Sequence, residues 1–128
     1  MSKFIVDVES DGPCPGLYSM VSFGCVKFEK RGDLNTTFYS GVIEPISDIW
    51  LPEALAISGI SREEHEKESS RPIDVMINFR DWLRKNNTDR TPQFFSDNNG
   101  FDWQFINYYF HLFSDGNPFG FSSQNIGS

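Results

Sequence analysis

The apolar run Lys3-Phe4-Ile5-Val6 leads straight into Asp7-Val8-Glu9, and this junction constrains the 128-residue chain more than any other stretch. An uninterrupted apolar run of this length reads as a buried strand. On a strand, residues i and i+2 point to the same face, so Asp7 and Glu9 stand on one sheet face about 6 to 7 Å apart, set by the rise per residue. Two anions at that spacing repel each other unless something positive lies between them. A divalent metal is the usual solution.

A second segment, about ninety residues on, has the complementary form. Phe94-Phe95-Ser96-Asp97-Asn98-Asn99-Gly100-Phe101-Asp102 runs from an apolar strand through polar residues into an aromatic-rich helix. The rest of the chain reads as mixed α/β. Residues 3 to 8 form a strand, Tyr18 to Glu29 and Asn35 to Ile43 alternate as a β-meander, and Lys30-Arg31-Gly32-Asp33 is the turn between them. Pro52 opens a short helix ending at Gly59, and Ser61-x-x-Glu64 is a capping box for another. Pro72 to Lys85 is the clearest helix, with Val75, Met76, Phe79, Trp82 and Leu83 on one face. Gln93 to Ser96 is a strand, Phe101 to Phe113 a helix with Asp102 in its first turn, and from Ser114 the composition predicts a loop without a core pattern.

Together the two segments resemble the first two signature blocks of the DEDD (DnaQ-like) 3'-5' exonucleases, a branch of the ribonuclease H-like superfamily. Phe4-Ile5-Val6-Asp7-Val8-Glu9-Ser10-Asp11-Gly12 matches the apolar strand, the Asp-x-Glu and the small polar continuation. Asp97-Asn98-Asn99-Gly100-Phe101-Asp102-Trp103-Gln104-Phe105 matches the Asn-x-x-Phe-Asp-x-x-Phe pattern. Residues 51 to 63 look like the connecting segment, with Ser58 where many members carry His. The resemblance spans about residues 3 to 123 and implies an α/β fold, a ribonuclease H-like mixed central sheet flanked by helices, in a single domain over 1–128.

It also implies a chemistry. Two hard cations, Mg2+ or Mn2+, about 4 Å apart would assemble a hydroxide and neutralise a leaving oxygen. By resemblance, Asp7 bridges both, Glu9 holds the one carrying the nucleophilic water, and Asp102 holds the one facing the leaving group. Ser10 and the Asp11-Gly12 turn lie near the terminal sugar, Phe101 meets a terminal base, and Asn98 fixes the strand-to-helix turn beside the substrate. The implied partner is the 3' end of a single-stranded nucleic acid, with RNA slightly preferred over DNA, and the implied product is a nucleoside monophosphate.

The family's third block, a helix with a fourth acidic ligand and a His or Tyr one turn before it, has no counterpart up to Ser128. The expectation is a domain that ends before its C-terminal helix, with self-association as one way to cover the exposed face. His111 and Asp115 have the i, i+4 spacing but not the reach. Asp102 and Asp115 are thirteen residues apart, which along one helix is about 20 Å. The same absence supports an alternative of another class, an inactive exonuclease-like module that binds nucleic acid or protein.

Charge and composition limit the remaining choices. A net charge of −7 argues against a bulk nucleic-acid binder but not against an enzyme that grips one 3' end through bound cations. Arg80, Arg84, Lys85 and Arg90 read as a solvated helix face. No run of eighteen apolar residues and no leader pattern is present, so a cytoplasmic, non-membrane protein is expected. Cys14 and Cys25 are expected to be reduced thiols, being too few and too irregularly spaced for a disulfide framework or a zinc site.

Overall fold

Alternating burial along the first strand sets the architecture. In the computed structural model, which describes residues 2–28 and 36–126, β1 (Lys3–Ser10) turns Phe4, Val6 and Val8 into the core and leaves Asp7 exposed and Glu9 half-buried on the opposite face. It pairs antiparallel with β2 (Met20–Phe28), which pairs antiparallel with β3 (Thr37–Tyr39). On its other side β1 pairs parallel with β4 (Gln93–Ser96), and β4 pairs parallel with β5 (Gln124–Asn125). The order is β3-β2-β1-β4-β5, a mixed sheet with β1 at its centre. A parallel neighbour needs a crossover, and α1 (Pro52–Ser58), α2 (Arg62–Lys67) and α3 (Pro72–Asn86) lie within it.

The core lies on one face of the sheet, under α3 and α4 (Asn99–Phe113). From α3 come Val75, Met76, Phe79 and Leu83; from α4 come Phe105, Ile106, Tyr109 and Phe110. Phe79 is the hub of an aromatic cluster, 4.8 Å from Phe23 and 5.4 Å from Phe110 between ring centroids. Such ring pairs add to the area that they bury. Both predicted starts at Pro52 and Pro72 hold, because a missing N–H costs nothing in the first helical turn. The capping box on Ser61 and Glu64 is formed in both directions.

The segment after Ser114 departs from expectation. Phe119 is buried and packs edge-on against Phe4 and Phe94, at 6.2 and 5.1 Å. The chain then adds β5 to the sheet, with Phe95 opposite Gln124. One aromatic among Ser, Gly and Asn carries no period to read. The third strand of the meander is also shorter than expected: regular pairing with β2 ends at Tyr39, after which Ser40 N donates to the Phe23 carbonyl at 3.0 Å and Ile43 N to the Val21 carbonyl at 2.8 Å, while Ile43 also bridges to Ser70. Helix α4 begins two residues earlier than expected, at Asn99. The expected turn at residues 30 to 33 lies outside the described residues. Cys14 is half-buried and Cys25 buried, both as free thiols.

Candidate active site

Topology leaves an opening beside β1. Strand β4 pairs with β1 only from Lys3 to Ile5, so beyond Ile5 the β4-facing edge of β1 has no strand partner. The N–H of Val8 points into that opening and donates to Asp102 Oδ1 at 3.1 Å. Asp102 reaches it from the first turn of α4, directly after β4. Tertiary folding thus brings Asp102 to the stretch of β1 that carries Asp7 and Glu9, across more than ninety residues of chain.

The charge of Asp7 acts on both of the others. Asp102 is 3% exposed, and its burial, opposed by the Val8 N–H and reinforced by the charge of Asp7, pushes its carboxyl up to about 6. Glu9 is raised too, by burial and by Asp7. Asp7 is the neighbour whose charge disfavours ionisation of both. A cation among them reverses that effect. All three offer hard carboxylate oxygens, the donor type of Mg2+ and Mn2+. Among the described residues no three His, Cys, Asp or Glu side chains already form a cage that could hold a metal. Asp102 instead spends one oxygen on the Val8 N–H. The donor set fits the expected ion in chemistry and in order along the strand end.

Two clefts meet at Glu9. One, of about 380 Å³, is mostly apolar and is lined by Val8, Glu9, Ser10, Gly12, Pro13, Leu51, Ala54, Ile57 and Phe101. Ser10, Gly12 and Phe101, three residues expected near substrate, come together there. The other, of about 300 Å³, is lined by Asp7, Glu9, Ser22, Phe23, Gly24, Tyr39, Ile57 and Ser58. Ile57 of α1 also lines both, while Leu51 and Ala54, from the same connecting segment, line only the first. Asn98 is exposed and does not line either cleft. Its side chain makes no cap hydrogen bond either; its carbonyl accepts from Asp102 N at 2.9 Å, so the turn is held through the backbone.

The turn after β1 is fixed by polar groups whose role the sequence did not disclose. The ladder shifts register between Glu9 and Ser10, a bulge of the kind that re-aims side chains beside active sites. Ser10 Oγ donates to the Gly12 carbonyl at 2.7 Å. Asp11 is fully buried; it accepts from Ser19 N at 2.7 Å and from Arg62 Nη1 at 3.0 Å, and its carbonyl accepts from Leu51 N at 2.8 Å. Arg62, from α2, also donates to the Ser47 carbonyl at 2.9 Å. This network ties the wall of the apolar cleft to the end of β1. Asp115, by contrast, pairs with Arg80 and Arg84 at 3.5 and 3.4 Å, away from the carboxylates, and His111 is exposed on the last turn of α4.

Among curated proteins, a 3'-5' DNA exonuclease of Escherichia coli, Cap18, is 41% identical over 125 residues, which is 96% of this chain and 64% of that protein. The chain is similar to the DEDD 3'-5' exonucleases in sequence and in fold. The fold is that of exonuclease I of E. coli: its complex with a dT13 oligonucleotide superposes with a TM-score of 0.73 at 19% identity, covering 96% of this chain and 27% of that one. A second structure of exonuclease I gives 0.75 at 18% identity, with the same coverage. The expected ribonuclease H-like class is therefore the observed one. No family model matches the chain. The chain spans somewhat under two thirds of the curated relative and about a quarter of exonuclease I.

Proposed function

We propose that this chain is the nuclease domain of a metal-dependent 3'-5' exonuclease that removes nucleoside monophosphates from the 3' end of single-stranded DNA. The carrying observation is the bond from Val8 N–H to Asp102, which ties the third carboxylate to the stretch of β1 that bears Asp7 and Glu9, with the charge of Asp7 acting on both other carboxyls. DNA, rather than the RNA favoured slightly by the sequence, is supported by the name of the E. coli relative and by the oligonucleotide bound to exonuclease I.

Asp7, Glu9 and Asp102 would hold Mg2+ or Mn2+. Such ions, when bound, lower the pKa of water and neutralise charge on a leaving oxygen. The chain's own residues do the rest. Asp7, exposed on β1 and acting by its charge on both other carboxyls, would be the carboxylate shared by the bound ions. Glu9 stands where the two clefts join, at the reacting end of a strand threading between them. Phe101, with Leu51, Ala54 and Ile57, offers the terminal nucleotide an apolar seat that excludes water from its base. The hydrogen-bonded Ser10-Asp11-Gly12 turn, which lends Ser10 and Gly12 to the same cleft, would lie beside the terminal sugar.

The test has two parts. Mg2+ or Mn2+ should raise the melting temperature of residues 1–128, because an ion that binds only the folded state stabilises it. A 5'-labelled single-stranded oligodeoxynucleotide should be shortened from its free 3' end in a Mg2+- or Mn2+-dependent way, weakly or not at all by residues 1–128 and strongly by any longer product of the gene that carries a His or Tyr one turn before a fourth acid. A missing general base typically costs about 10² to 10⁴ in rate. The second reading, an inactive binding module, predicts binding without shortening by either form. Failure of any divalent ion to bind at millimolar concentration overturns the metal assignment.

A further inference from the structure

Gly24 sits in the middle of β2 directly opposite Asp7, and Tyr39 of β3 sits directly opposite Gly24. Directly paired residues share a sheet face, so Asp7, Gly24 and Tyr39 form one row across three strands on the face that carries the carboxylates. Phe38, next to Tyr39, turns to the other face, where it stacks on Phe23 and packs at a tilt against Phe79. Tyr39 itself is 70% exposed. With Glu9, Ser22, Ile57 and Ser58 the row lines the second cleft.

Nothing local requires a glycine there. Gly24 is not among the residues with positive φ, and an added Cβ would meet only the Phe38 carbonyl oxygen, at 4.0 Å. Glycine weakens a strand interior, and its use there often marks close approach by a ligand. The missing side chain leaves bare backbone between an acidic ligand position and an exposed aromatic ring.

We propose that Gly24 and Tyr39 form a second nucleotide subsite: the sugar-phosphate of the nucleotide preceding the scissile one lies over Gly24, and its base stacks on the Tyr39 ring. This rests on the exonuclease reading, in which the terminal nucleotide fills the cleft beside Phe101 and the strand passes Glu9 and Asp7. Stacking suits a chain of net charge −7, because it supplies affinity for any base without a basic surface.

The experiment is fluorescence anisotropy with a labelled single-stranded oligo-dT whose 3' linkages are phosphorothioates, in the presence of Mg2+, alongside thermal melting. Tyr39→Ala should weaken binding about five-fold or more, the low end of one base-aromatic stack, and Tyr39→Phe should bind like the parent protein. Gly24→Val should weaken binding as much, while its melting temperature stays level or rises. Parental affinity in both Tyr39→Ala and Gly24→Val overturns the subsite and leaves the exonuclease reading standing. If the parent protein itself fails to bind the oligonucleotide, the exonuclease reading falls and the subsite falls with it.

Discussion

The backbone N–H of Val8 donates to Asp102 Oδ1 at 3.1 Å, so the residue between Asp7 and Glu9 is the one that anchors the third carboxylate. Backbone, which cannot change rotamer, fixes the position of a side chain on another element. This is the kind of support that holds ligands in place before an ion arrives.

It separates two substitutions at Asp102. Asp102→Asn keeps an oxygen for the Val8 N–H and removes the charge, so the ion-free protein should melt at the same temperature or higher at pH 8, while the rise given by Mg2+ or Mn2+ disappears. Asp102→Ala leaves a buried N–H without a partner and should cost about 1–3 kcal/mol. Equal destabilisation by both, measured by denaturant unfolding in EDTA, would mean that the charge itself holds the fold.

Asp7→Ala should act on the chemistry alone. Asp7 is exposed, and its charge raises the carboxyls of both Glu9 and Asp102. Its removal should change stability by less than about 0.5 kcal/mol, or raise it slightly. It should let Asp102 ionise at lower pH, as read by carboxyl carbon NMR, and abolish divalent binding by calorimetry. An Asp7→Ala protein that unfolds would make this carboxylate structural.

The elements that the sequence disclosed are those whose pattern is local. Pro52, Pro72 and the Ser61-Glu64 box mark helix starts through bonds made within one turn, and the two acidic blocks carry their own strand and helix contexts. What stayed hidden depends on partners far along the chain. Phe119 joins the core only because Phe4, Phe94 and Phe110 leave room for it. Asp11 reads as one more polar turn residue until Arg62, fifty-one positions on, is found against it. Gly24 and Tyr39 fall in a strand pattern that shows nothing of what lies opposite. Asp102 was legible as part of a motif, but its tie to Val8 was not.

Gly12 supplies a packing test of the turn. A Cβ there would lie 2.1 Å from the Tyr18 ring carbons Cδ1 and Cγ, at the root of the ring, where no small rotation relieves the clash. Gly12→Ala should therefore destabilise by about 1–3 kcal/mol, as overpacking does. Combining it with Tyr18→Ala should recover most of the loss attributable to the clash. A purely additive double-mutant cycle, measured by urea unfolding, would show that the two do not compete for the same space.

The pH dependence of stability should contain two opposed contributions in one window. Burial, opposed by the Val8 N–H and reinforced by Asp7, raises Asp102 from 3.8 to about 6. The folded state therefore holds this proton more tightly than the unfolded state, and the stability it gives is present below about pH 4 and lost as pH rises through 6. Glu9 and Asp11, both raised by burial, act in the same direction. His65 acts in the other. It is fully buried between Arg62 and Asp11, with Arg62 Nη1 3.3 Å from its Nδ1, and burial, reinforced by the Arg62 charge, lowers it from 6.5 to about 4. Its stability is present above 6.5 and lost as pH falls toward 4. Each contribution is on the order of 3 kcal/mol across its window, so in EDTA the parent protein should show a shallow profile between pH 4 and 7. Asp102→Asn removes the first and leaves the second, and its melting temperature relative to the parent should drop as pH falls through this range. A difference between the two proteins that stays constant from pH 4 to 7 would show that Asp102 ionises in the folded protein as it does in the unfolded chain, and that the buried, Val8-anchored carboxyl is not the proton-holding group described here.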